Sequence, residues 1–287
     1  MLTVLVGTTS ALIFGAADFL GGLAARRMSA ILATALAAAT GLVVLAIALP
    51  IVGGEWSWPA VLLGAASGVA GAVAIGLLYA CLAIGPMSIL SPLTAVVSAI
   101  VPLTFGLIGG ERLGTLGYVA LGLALVAIVL VGFVPEKNAV RPSLRGVLMA
   151  IGSGVAIGVF LILIDATPDA SGIVPLVVNR ATNSTIMFTL VGVLAFIAWR
   201  RGTGPAHGAW RSALTLAIAC GVLDAVANAG LLLGVRLGEL SVMAVLVALY
   251  PAGTIILAAI VLKERIAVLQ YVGLALAIVA GAMLALA

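Results

Sequence analysis

The sequence predicts an all-α integral membrane protein with ten transmembrane helices, arranged as two inverted five-helix repeats around a central cavity. Three observations lead there: charge is scarce, the apolar stretches have spanning length, and the two halves resemble each other. Of 287 residues, 64% are hydrophobic and 8% are charged, where soluble domains carry roughly a quarter charged. Mean hydropathy is +1.40. Lipid is therefore the expected solvent. Backbone amides in hydrocarbon must be satisfied within their own segment, so each crossing needs an α-helix of about 20 residues. A β-barrel does not fit, because the apolar stretches run well past ~10 residues with no alternation of period two.

Breaking the chain where charge, Pro and Gly cluster gives spans at 2–23, 31–52, 60–84, 88–109, 116–134, 145–164, 173–199, 212–235, 240–262 and 268–287. The first begins at once, with no basic segment ahead of it, so it reads as a retained span and not as a cleaved signal. The second and third meet at Trp56 and Trp58, and the seventh and eighth at Trp199 and Trp210, where an aromatic belt belongs. The fourth and ninth contain Pro92, Pro102 and Pro251, expected to bend these helices and allow them to gate. The fifth and sixth flank a polar connection. The domain reading is 1–134 for the first repeat, 135–144 for that connection, and 145–287 for the second repeat.

A shift of 153 residues lays Gly68–Leu130 on Gly221–Met283 without a gap, placing Gly85 on Gly238, Ser88 on Ser241, Glu111-Arg112 on Glu264-Arg265, and Tyr118 on Tyr271. An odd number of spans per copy turns the second copy upside down, the arrangement of many secondary transporters. Loops after odd-numbered spans hold Arg26, Arg27, Lys137, Arg141, Arg145, Arg200, Arg201, Arg211, Lys263 and Arg265. Loops after even-numbered spans hold only Arg112 and Arg236. By the positive-inside rule the odd loops are cytoplasmic and both termini extracytoplasmic, in a multi-pass protein of the inner (plasma) membrane.

Phe14-Gly15-Ala16-Ala17-Asp18-Phe19 in span 1, the Gly110-Glu111-Arg112-Leu113 exit of span 4, its echo Lys263-Glu264-Arg265-Ile266, and the twofold five-span plan together resemble the EamA family of the drug/metabolite transporter superfamily. The resemblance implies export of amino acids, related metabolites or drugs through a cavity between the repeats.

Ionisable groups inside spans cost about 2.5–3.5 kcal/mol each on insertion scales, so each needs a function or a partner. Asp224, with Asn228 one turn on, lies near the middle of span 8, and Asp18 lies in span 1. Both are candidates for substrate binding and proton coupling. Asn183 belongs to a polar face of span 7 that should avoid lipid, and Arg180 beside it is expected to pair with Asp165 or Asp169. Tyr79 and Tyr250 offer a hydroxyl and an aromatic face, and Ser91 and Thr94 lie near carbonyls freed by proline. Glu111 and Glu264 read as turn residues that start the next helix. Glycine pairs spaced four apart, such as Gly64/Gly68, Gly154/Gly158 and Gly230/Gly234, predict close helix crossings.

No cofactor or metal site is expected, because Cys81, Cys220 and His207 stand apart from any ligand spacing. The net charge of +4 is too small and dispersed for nucleic acid. A membrane protease using Asp18 and Asp224 would want a Gly-x-Gly-Asp motif, and a channel would want a filter or a ring of like charge. The expectation is a monomeric carrier for small amphiphilic solutes, amino acids first and cationic drugs second, with the lipid bilayer and the solute as its partners.

Overall fold

The computed structural model describes residues 1–84, 87–132, 143–201, 210–263 and 267–286, with the side chains of 79, 82–84, 87–89, 91–92 and 210 excepted. Every regular element among them is helical: α1 (Leu2–Ala25), α2 (Ala30–Val52), α3 (Trp58–Ile84), α4 (Met87–Ile108), α5 (Thr115–Gly132), α6 (Leu144–Asp165), a 3₁₀ turn (Asp169–Ser171), α7 (Val174–Arg200), α8 (Trp210–Leu237), α9 (Leu240–Val247), α10 (Tyr250–Val261) and α11 (Val268–Leu286). Nine stretches of helix, with α9 and α10 taken together, are long and apolar enough to cross a membrane, and Leu93–Ile108 in α4 is a shorter apolar helix. The predicted connection at 135–144 and the Glu264-Arg265 echo lie almost wholly outside the described residues.

Start signals are local. Ser29 and Ser143 cap α2 and α6, their hydroxyls accepting from Leu32 N–H at 3.3 Å and Gly146 N–H at 3.1 Å. Some hydroxyls within spans bond back one turn, as Thr9 does to the Leu5 carbonyl and Thr104 to that of Ile100, both at 2.7 Å, so these two are satisfied within their own helix.

The ninth predicted span is present as Leu240–Val261, in two pieces. It divides into α9 and α10 at Ala248-Leu249, with Pro251 in the first turn of α10. Proline has no N–H to give the Val247 carbonyl, so the ladder lapses there. By contrast α4 continues through Pro102, which packs beside Gly158 of α6. Pro92 also lies within α4, but its side chain is outside the described residues.

Interfaces come in pairs under the exchange α1/α6, α2/α7, α3/α8, α4/α9-α10 and α5/α11. Thus α1 packs on α8 as α6 packs on α3, α4 packs on α6 as α10 packs on α1, and α3 meets α7 as α8 meets α2. The pairs α2·α7 and α5·α11 are their own counterparts. Small residues permit this closeness. A Cβ at Gly15 would stand 2.4 Å from the Tyr250 carbonyl and 2.7 Å from Gly253 Cα, so backbones of α1 and α10 touch. Gly64 and Gly68 admit α7, and Gly154 and Gly158 admit α4.

Helix ends alternate between two faces. One carries Arg26, Arg27, Arg200 and Lys263, and is called the basic face here. The other carries Glu55, Glu111, Asp165, Asp169 and Glu239, and is called the acidic face. At the acidic face Glu55 N–H donates to the Ala170 carbonyl at 2.8 Å, and Gly54 lies against Ser171 at φ +150°. The crossing of α1 and α10 makes a clear prediction: Gly15→Ala should destabilise the fold by about 1–3 kcal/mol, the usual cost of overpacking, seen as a lower melting temperature in detergent.

Candidate functional site: a charged cavity between the two halves

Asp224 occupies the middle of α8 and Arg180 the first half of α7, and their side chains meet at 2.6 Å (Arg180 Nη2 to Asp224 Oδ2). This corrects the expectation that Arg180 pairs with Asp165 or Asp169. Those aspartates lie where α7 begins, whereas Arg180 turns into the cavity, across which α8 presents the Asp224 carboxylate. Asn228, one turn beyond Asp224, is buried and donates to the Asp224 carbonyl at 2.7 Å and to its Oδ1 at 3.2 Å. The carboxylate is thus held from two sides. On α7, Asn179 donates to Ser67 Oγ of α3 at 2.8 Å. Asn183 Oδ1 and Arg180 Nε are buried with no protein partner.

These groups line a cavity of about 220 Å³ walled by apolar side chains including Phe14, Ile75, Phe160 and Leu231. A second chamber of about 370 Å³ shares Asp18, Ile75, Arg180, Asn183, Asp224 and Tyr250 with it. That chamber continues past Gly22, Ala25, Ala33 and Cys220 toward the basic face. Asp18 is exposed within it and forms no ion pair among the described residues. With both carboxylates and the guanidinium ionised, the pocket holds one uncompensated negative charge.

The structure therefore brings Asp18, Asn183, Asp224, Asn228 and Tyr250 together in one cavity lining. Thr94 is placed elsewhere: fully buried, its hydroxyl bonds the Leu90 and Ala150 carbonyls at 3.0 and 3.2 Å and ties α4 to α6. Tyr79 and Ser91 lie in α3 and α4, but their side chains are outside the described residues. Ser98, which like Ser91 and Thr94 lies near proline-freed carbonyls, lines the cavity, and Phe14 and Asn179 line it without having been singled out for it. Asn179 had a visible signal, its place one turn before Asn183.

Toward the acidic face the cavity is floored by Ala244, Val247 and Ala248 of α9 and its C-terminal end. Arg236 reaches the Pro168 carbonyl and Ser171 Oγ, each at 3.3 Å, with Asp169 at 3.7 Å. The exposed Glu239 carboxyl has its pKa raised, first by partial desolvation and then by repulsion from Glu111.

The sequence model of the EamA-like transporter family matches residues 144–286. The chain belongs to that family. The EamA-like assignment makes it a multi-pass membrane transporter of the drug/metabolite type. No curated protein matches the sequence. A solved crystal structure resembles the fold along nearly its whole length: TM-score 0.77 at 18% identity, covering 99% of this chain and 96% of the other.

The ion pair of this EamA-like protein can be tested by stability. Asp224→Ala leaves a guanidinium enclosed without its partner and should cost about 3–5 kcal/mol, read as a lowered unfolding midpoint. Adding Arg180→Ala should recover part of that loss, a coupling measurable in a double-mutant cycle.

Proposed function

We propose that this EamA-like protein is a secondary transporter exporting small amphiphilic metabolites that carry an ammonium group, amino acids first. The observation that carries this reading is the Asp18 carboxylate, unpaired among the described residues, beside the Arg180–Asp224 pair in a cavity with largely apolar walls that continues toward the basic face. An ammonium group neutralises Asp18. A carboxylate on the same solute meets Arg180, whose second charge partner it then becomes. The apolar wall receives the solute's side chain with little directional demand, which favours breadth of selection over stringency.

Transport follows from alternating access between two inverted five-helix units, 1–134 and 145–287, rocking about this site. The paired interfaces support that reading, as does the sequence repeat. With the basic loops cytoplasmic, the termini are extracytoplasmic and the chamber faces inward, the state that loads an exporter in the inner membrane. Because a proton and an ammonium group both neutralise Asp18, they compete for it, and proton antiport follows from that exchange. All groups of the site come from one chain, so a monomer suffices. Export of cationic drugs is the second reading, favoured by the same lone carboxylate if Arg180 stays committed to Asp224.

Counterflow in proteoliposomes separates these. Preloaded amino acids should accelerate uptake of labelled amino acid with saturation, and Asp18→Asn should cut that rate on the order of tenfold or more, the scale of one lost charge contact. Unchanged flux in Asp18→Asn would remove the carboxylate from the mechanism, and acceleration only by cations lacking a carboxylate would install the second reading.

A further inference from the structure

We infer that Glu111 is a gating residue, whose carboxylate pins the N-terminus of α9 to the end of α4 and so holds the acidic face of the cavity shut. A turn residue in its sequence position would serve its own next helix, α5. Instead Glu111 reaches across to the other half of the chain. Its Oε1 accepts the Leu240 N–H at 3.0 Å and its Oε2 the Ser241 N–H at 3.1 Å. These are the first two amides of α9, whose own N-cap residue, Glu239, makes no side-chain cap bond. Charge-assisted bonds onto the positive end of a helix are among the stronger polar contacts available.

The socket is built for this contact. A Cβ on Gly106 would stand 2.4 Å from Glu111 Oε2, so only glycine there leaves room for the carboxylate. Ser241 Oγ adds a bond to the Leu103 carbonyl at 3.2 Å, also across the halves. Leu240 and Ser241 are both buried.

Placement makes the contact a gate and not simple glue. The eight-residue α9 lies between the cavity, which it floors with Ala244 and Val247, and the acidic face, where it begins. Their other end is the break at Ala248-Leu249, beyond which α10 stays locked to α1 at Gly15 and Gly253. A short helix hinged at one end and pinned at the other can swing when the pin is released. Among the described residues the other hydrogen bonds across the halves at this face, Thr3 to the Leu237 carbonyl, Glu55 N–H to that of Ala170 and Ile173 N–H to that of Gly53, do not touch α9.

The inference rests on the carrier reading for its purpose, but its test needs no solute. Ile75→Cys, half-buried where the two chambers join, serves as reporter in a Cys220→Ala background. It is labelled with a membrane-impermeant maleimide from each side of the bilayer. The parent should react from the basic face and be protected from the acidic face. Glu111→Gln should raise labelling from the acidic face on the order of tenfold, the scale of one lost charge-assisted bond. Gly106→Ala, which leaves Glu111 present but displaces it, should do the same, while Glu111→Asp retains protection. If Glu111→Gln or Gly106→Ala melts at the parent temperature and keeps the parent's protection, the gate is overturned. Raised labelling in a protein that shows no counterflow would support the gate while sinking the solute reading.

Discussion

The ion pair of Arg180 and Asp224 sets the terms for the rest of the molecule. Two opposite charges placed within two spans, α7 and α8, can remain there only in contact, since each alone would cost several kcal/mol in an apolar interior. At 2.6 Å they tie α7 to α8 across the cavity, while both helices pack on α2. Asn228 then has to stand one turn away to complete the carboxylate's bonds, and Asn179 has to reach Ser67 to bring α3 alongside. A polar surface of this kind must be enclosed, and the helices around it close into a cavity instead of a dry seam. Asp18 enters that cavity with no ion-pair partner among the described residues, and the proposed preference for an ammonium group rests on that carboxyl.

Around this centre the fold is held by proximity more than by hydrophobic burial, because lipid offers apolar side chains as good a medium as the interior does. Large side chains such as Ile47 and Ile278 accordingly face outward. Glycine and alanine face inward, where α1 meets α10 and α3 meets α7 backbone to backbone. The interfaces recur in exchanged pairs, so a contact on one side of the cavity has a counterpart on the other. A structure made this way has two comparable halves and a polar site between them, which is the physical requirement for exposing the site to one face at a time.

Much of this was legible in the sequence, for identifiable reasons. Spans announce themselves because hydrocarbon forbids charge, and Asp18 and Asp224 stood out against that background. The spacing of small residues marked the helix crossings. Arg180 was misjudged because its partner depends on which helix faces α7 across the cavity and at what height, a property of the three-dimensional arrangement that one-dimensional spacing does not carry. Thr94 failed for a similar reason: proline nearby marks freed carbonyls, but the rotation of α4 turns that hydroxyl to α6. The break before Pro251 was foreseen as a bend, yet its extent, a full division into α9 and α10, reflects the packing of α10 on α1. Glu111 looked like a turn residue because its partners are backbone amides, which have no sequence signature at all.

The central claim is that an unbalanced carboxylate in a cavity open to one face selects solutes bearing an ammonium group. The most direct measurement is the thermal stability of the purified protein against matched series of solutes, since a ligand that binds only the folded state raises its melting temperature. The account predicts stabilisation by amphiphilic solutes with an ammonium group, lost when that group is acylated and abolished in Asp18→Asn. Stabilisation by the acylated, purely anionic solutes with none from their parent amines would contradict it.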